Sequence, residues 1–144
     1  MECVFCKILR RELPAEVVYE NDKVVAILDI NPIHYGHALV IPRGHYLDFL
    51  AIPESDLHAV LHAAQIVANG LVRALRLEGF NIFSNNGRIA GQSVFHFHMH
   101  VTPRYPDDEI RFVLKLKEYG PGAMADYGLR IRNIISEIQA QTGE

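Results

Sequence analysis

Three histidines recur at every second position in Phe95-His96-Phe97-His98-Met99-His100-Val101. Imidazole titrates near neutrality, so a neutral ring can attack an electrophile, relay a proton or bind a metal at physiological pH. On a β-strand the side-chain period is two. This run therefore turns three imidazoles to one face and Phe95, Phe97, Met99 and Val101 to the other, whereas a helix would scatter them. Just upstream, Gly87-Arg88-Ile89-Ala90-Gly91-Gln92-Ser93 supplies a flexible backbone, an amide and a hydroxyl. Glycine-containing turns can aim backbone N–H groups at an anion. Joined to the histidines, the segment suggests a phosphate held against a nucleophile. One ion on all three histidines is disfavoured, because alternate residues of a strand stand about 7 Å apart.

Other side chains of the same kinds lie elsewhere. Cys3-Val4-Phe5-Cys6 is a CxxC. A redox pair normally starts a helix that follows a strand, and no strand precedes residue 3, while a zinc site needs two more ligands. His58 and His62 stand at i, i+4 but on a wholly polar helix face, which reads as solvated surface.

The elements that position these groups follow from periodicity and punctuation. Residues 5–11 suit a short helix stopped before Pro14. Val17-Val18-Tyr19 and residues 24–29 are β-branched runs joined by a turn at residues 20–23. A third strand spans residues 37–41. Residues 54–77 carry Leu57, Val60, Leu61, Ala64, Val67, Ala68, Leu71 and Leu75 at helical spacing, with acidic residues at the start and Gly79 as the stop. Residues 80–84 make a fourth strand and the histidine run a fifth. Residues 111–116 form a short strand or an arm, and residues 126–140 a terminal helix. The sum is α+β: a five-stranded, mainly antiparallel sheet with helices on one face. The expected organisation is a single domain over 1–144, with its core in 3–104 and a C-terminal extension at 105–144.

The chain has 144 residues and a net charge of −3, giving no basic footprint for nucleic acid. No apolar run approaches the ~18 residues that span a bilayer. Two cysteines close together and a start unlike a signal peptide lead to an expectation of a cytoplasmic protein with reduced thiols.

The segment 85–101 resembles the signature of the histidine triad (HIT) superfamily, histidines alternating with apolar residues. Leu28-Asp29-Ile30-Asn31-Pro32 and residues 36–45 resemble the family's other nucleotide-facing segments. The likeness covers about residues 3–104. Thr102 replaces an apolar residue of the pattern, and Val101-Thr102-Pro103-Arg104-Tyr105 is more similar to the bacterial hydrolases than to the eukaryotic Hint branch. The resemblance implies hydrolysis at the α-phosphate of a purine nucleoside derivative, an AMP- or GMP-type phosphoramidate or nucleotidyl ester. It implies that His98 attacks phosphorus, forming a nucleotidyl-histidine that water hydrolyses. His100 would contact phosphate oxygens and assist the leaving group; Asn85, Gln92 and Ser93 would donate to phosphate. Asp29 would hold the ribose, Ile30 would wall the base, and His37 belongs near the phosphate end. By the same resemblance Cys3, Cys6, His45 and His96 would form a structural Cys₂His₂ zinc site, and a homodimer would join two sheets into one. Dinucleoside polyphosphate cleavage or phosphorolysis is an alternative on the same His98 intermediate. A nucleotide-binding regulatory module with incidental turnover is another; it would show slow hydrolysis with tight AMP binding.

Overall fold

The computed structural model describes residues 2–143. The chain divides into two compact units, the first ending at Ile110 and the second beginning at Arg111. The first unit runs α1 (Val4–Leu9), β1 (Val17–Glu20), β2 (Val24–Leu28), β3 (Ala38–Pro42), α2 (Glu54–Leu75), β4 (Gly79–Phe83), a 3₁₀ turn (Arg88–Ala90) and β5 (Met99–Arg104). The strands form one antiparallel sheet in the order β1-β2-β3-β5-β4. The second unit holds α3 (Ala123–Thr142), and residues 111–116 carry neither helix nor strand. Among the described residues no helix is long and apolar enough to cross a membrane.

Local chemistry explains the turns. Asn21 closes the β1–β2 hairpin, its Oδ1 accepting from the N–H groups of Lys23 at 2.8 Å and Val24 at 3.0 Å, the Asx-turn use of a short amide side chain. The long helix ends earlier than Gly79. Arg76 takes the left-handed position at φ 54°, and Leu77 folds back into the core with its N–H on the carbonyl of Val72. An apolar residue returning over the last turn is the usual companion of such a cap, and Gly79 starts β4 instead.

Helices on one face is the expectation that needs correcting. β2 and β3 read as continuous apolar runs, Val24-Val25-Ala26-Ile27-Leu28 and Ala38-Leu39-Val40-Ile41-Pro42, so both of their faces must be covered. Val24, Ala26, Ala38 and Val40 pack with Val60, Ala64 and Val67 of α2. Val25, Ile27, Leu39 and Ile41 pack with Phe5 and Ile8 of α1. The two helices sandwich the sheet.

The histidine segment also differs from a plain strand over 95–101. Phe97, Met99 and Val101 do join the α2-side core, so the two-sided alternation holds from His96 onward, whereas Phe95 is exposed and outside that core. The β-ladder, however, begins only at Met99, opposite Val40. The cause lies in Pro42, which has no N–H to continue a ladder. Its carbonyl takes the His96 ring instead, at 2.9 Å, and the Phe97 N–H goes to the Tyr46 carbonyl at 2.7 Å. Residues 95–98 are thereby pinned to the loop after β3.

Candidate active site and metal centre

Four side chains converge where α1 begins. Cys3 and Cys6 bracket its first turn, His45 follows β3, and His96 precedes β5. Cys6 Sγ lies 3.4 Å from His45 Nδ1 and 3.6 Å from His96 Nδ1; Cys3 Sγ lies 3.5 Å from His96 Nδ1. The two Nδ1 atoms are 3.1 Å apart, and the four ligand atoms all fall within 4.8 Å of one another. Tetrahedral zinc, with bonds of about 2.3 Å to sulfur and about 2.0 Å to nitrogen, requires S···N edges of about 3.6 Å and N···N edges of about 3.3 Å. The donor set fits those edges. Because His96 Nε2 donates to the Pro42 carbonyl, its Nδ1 carries the lone pair, the outer-shell arrangement that presets a metal-binding imidazole. Burial holds His96 below the ordinary histidine range and pushes the Cys6 thiol up, the neighbouring Cys3 adding to the latter. A bound cation is what would turn that thiol into a thiolate. Four protein ligands would leave a bound ion no open position.

Beside this centre, on the α1 face, a cleft of about 580 Å³ is lined by Phe5 and Ile8 of α1, by Asp29, Ile30 and Ser93, and by His98 and His100. His98 is buried, its Nδ1 donating to the carbonyl of His96 at 2.8 Å. A carbonyl accepts only, so the proton sits on Nδ1 and Nε2 keeps the lone pair. The Phe5 ring meets the His98 ring edge-on, centroids 5.0 Å apart. Burial lowers the pKa of His98, outweighing the opposing pull of its backbone bond and of Asp29. A neutral imidazole with a fixed tautomer is a competent nucleophile.

His100 is set from behind. The Ile33 N–H donates to His37 Nδ1 at 3.1 Å, so His37 must carry its proton on Nε2. That nitrogen lies 2.9 Å from His100 Nδ1 and donates to it. His100 is left with its proton on Nε2. Phe83, opposite His100 across the β4–β5 ladder, stacks on it at 4.4 Å and 9°. One ring of the pair therefore presents an acceptor nitrogen and the other a donor N–H, with centroids 4.9 Å apart.

Burial pushes His100 down to about 4, with His98 and His37 adding to the effect, and burial likewise lowers His37. The unfolded chain, with histidines near 6.5, then binds more protons than the folded one as pH falls from about 6.5 towards 4. Stability contributed by the neutral pair is full above pH 6.5 and is lost on acidification. The urea midpoint should therefore be lower at pH 5 than at pH 7, and His100→Asn should shrink that difference; an unchanged difference would contradict the assignment.

The remaining expected residues fall into three groups. Asp29, Ile30, Ser93, His98 and His100 share the cleft. Asp29 also keeps the turn role open to it, since Oδ1 accepts from Asn31 N–H at 2.9 Å while Oδ2 stands 3.8 Å from His37 Nδ1. Asn85 stands beside the Gly91 turn, whose φ is +94°, and His37 sits behind His100 rather than in the cleft. Gln92 stands apart from the cleft. It is buried, its Oε1 accepts from Gly87 N–H at 2.8 Å, and its Nε2 donates to the carbonyls of Leu47 at 2.8 Å and Val94 at 3.2 Å. Both amide hydrogens are used, so Gln92 has none for a phosphate and instead ties the glycine turn to the loop after β3. Gln92→Ala should lower the unfolding free energy by about 2–4 kcal/mol in urea titration, the cost of buried groups losing partners; a loss confined to substrate affinity would restore the donor role.

Sequence reasoning missed Phe5, Ile8 and Phe83. The central position of Phe5 within the CxxC was a usable signal for the first, since a metal-anchored turn fixes what lies inside it. Phe83 became legible only with the β4–β5 register.

The HIT domain profile matches residues 10–107. An HIT-like protein of Methanocaldococcus jannaschii is 45% identical over 106 residues, 74% of this chain and 81% of that protein. The adenylylsulfatase HINT3 of Arabidopsis thaliana is 42% identical over 107 residues, 74% of this chain and 54% of its own length. The adenosine 5'-monophosphoramidase HNT1 of Saccharomyces cerevisiae is 39% identical over 102 residues, 71% of this chain and 62% of its own length. Among solved structures, an HIT family protein from Bacillus anthracis superposes with TM-score 0.86 at 36% identity, covering 92% of this chain and 96% of that one. A zinc-bound histidine triad family protein from Mycobacterium smegmatis gives TM-score 0.73 at 39% identity, covering 78% and 81%.

Proposed function

The chain belongs to the HIT domain family, and from that premise we propose that it hydrolyses an adenosine-type nucleoside derivative at the α-phosphate through a covalent intermediate on His98. The observation that carries this reading is the pairing of opposite tautomers: His98 with a bare Nε2 next to His100 with a protonated one, both lining one cleft. In the first step His98 Nε2 bonds to phosphorus and the bond to the leaving group breaks, its electron pair departing with the leaving group, which takes a proton from solvent. The His98 Nδ1–H stays on the His96 carbonyl, which shares the positive charge of the substituted ring. His100 Nε2–H hydrogen-bonds a phosphoryl oxygen as charge gathers there. Water then attacks phosphorus, the P–N bond breaks, and His98 returns neutral as the water proton passes to solvent. Asp29 serves the ribose hydroxyls, Ile30 and Phe5 the base, and Ser93 a phosphate oxygen.

Two relatives named for an adenosine phosphoramidate and for adenylyl sulfate share the nucleotide and differ in the leaving group. That supports an adenylyl half-site with a tolerant exit. Zinc on Cys3, Cys6, His45 and His96 would lock the turn that presents Phe5 and the strand that presents His98; the donor distances and the zinc-bound relative support it. Comparing kcat/KM for adenosine and guanosine phosphoramidates, adenylyl sulfate and dinucleoside polyphosphates tests the assignment. Preference for the phosphoramidates or adenylyl sulfate supports it, and preference for the polyphosphates replaces it.

The chain would act as a homodimer. β4 is an edge strand, and its Phe80 and Ile82 are 40% and 44% exposed beside Leu61 of α2. An edge strand with apolar side chains invites pairing with a second copy. Phe80→Asp with Ile82→Asp should weaken self-association in sedimentation equilibrium; an unchanged dissociation constant would remove β4 from the interface.

A further inference from the structure

The helix α3 carries an apolar stripe that the reading above does not use. Met124, Tyr127, Ile131, Ile134 and Ile138 recur at alternating steps of three and four, with Ile135 beside them. That is a heptad seam, with Met124, Ile131 and Ile138 at a and Tyr127 and Ile134 at d. No residue of α3 is buried, and Ile131, Ile134 and Ile138 are each more than half exposed. Leu129 falls alone on the opposite face.

The flanking residues say what covers the stripe. In an antiparallel pair of identical helices, a positions meet d positions, and flanking residues meet their own kind across the seam. Setting Ile131 against Ile134 of a second copy also sets Tyr127 against Ile138. Arg130 then faces Glu137 of the other helix on one side, twice by symmetry. On the other side Gly128 faces Ile135, and a residue without a side chain leaves room for the branched one; only the long Arg132 side chain lies near Gly128. Arg130 already leans along the stripe, its guanidinium 5.6 Å from the Tyr127 ring. A parallel pair would place Arg130 against Ile135 and leave both charges without an opposite. We propose that α3 docks antiparallel on α3 of a second copy of this chain, with reciprocal Arg130–Glu137 pairs fixing the direction.

Charge reversal tests the direction as well as the contact. Arg130 and Glu137 lie two helical turns apart in one chain, about 10 Å, too far to pair with each other. Arg130→Glu and Glu137→Arg should each weaken self-association of the full chain by about tenfold in sedimentation equilibrium, because like charges then meet across the seam. The double reversal should return the dissociation constant to within about threefold of the unmodified chain. Leu129→Lys, on the far face, should leave it unchanged. Single reversals without effect, or a double reversal as weak as the singles, would overturn the proposal and leave the stripe to a partner of another kind.

Discussion

His98→Ala should abolish turnover and leave nucleotide binding intact. The expected loss in kcat/KM on an adenosine phosphoramidate is on the order of 10⁵-fold, because removing a covalent nucleophile leaves only binding and charge stabilisation to speed the reaction. Binding should change little, since the groups proposed to hold the nucleotide, Asp29, Ile30, Phe5 and Ser93, come from other elements. Calorimetric titration with AMP should give a dissociation constant within about threefold of the unmodified protein, a difference under 1 kcal/mol. The replacement is tolerable structurally. The ring gives up one bond to the His96 carbonyl, and that backbone remains pinned by the Phe97 N–H on Tyr46. Turnover that survived the substitution would remove His98 from the chemistry.

The second large effect concerns the metal. Protein purified without added zinc should carry about one equivalent, and Cys3→Ser should carry less than a tenth. Loss of a four-ligand site that ties α1 to both β3 and the His96 segment should lower Tm by on the order of 10 °C, since each kcal/mol moves a domain of this size by several degrees. Activity should fall as well, though no step runs through the ion. His96 would offer the metal its Nδ1 and gives its carbonyl to His98, so freeing the ring would loosen the acceptor that fixes the His98 tautomer. About a tenfold fall in kcat with KM little changed is the expected signature, within the range seen when outer-shell support of a functional group is removed. Metal-free protein with an unchanged Tm would contradict it.

Much of this was readable in the chain, for reasons that differ by residue. The alternation assigns faces correctly from His96 to Val101, because apolar side chains seek the core wherever the backbone is extended, while Phe95 at its start stays exposed. It could not show that the ladder stops at Met99, since that depends on Pro42, more than 50 positions away, lacking an N–H. The apolar runs in β2 and β3 already said that both sheet faces are covered, a signal that outranks the habit of placing helices on one side. An amide beside a glycine turn suggests a phosphate donor at Gln92, and only the fold shows its partners at Gly87, Leu47 and Val94. His37 was placed near the phosphate end without a role; its place in setting His100 rests on the backbone N–H of Ile33, which no side-chain pattern encodes. At α3 the terminal helix was legible, while the seam and its direction needed the exposed residues and flanking charges to be set against a second copy.

The stereochemical course at phosphorus tests the central claim most directly. With a substrate chiral at the α-phosphorus, hydrolysed in isotopically labelled water, two successive in-line displacements invert twice. Attack by His98 followed by water therefore predicts overall retention of configuration. Overall inversion would mean that water attacks the substrate directly, and His98 would then be no more than a neighbouring hydrogen-bonding group.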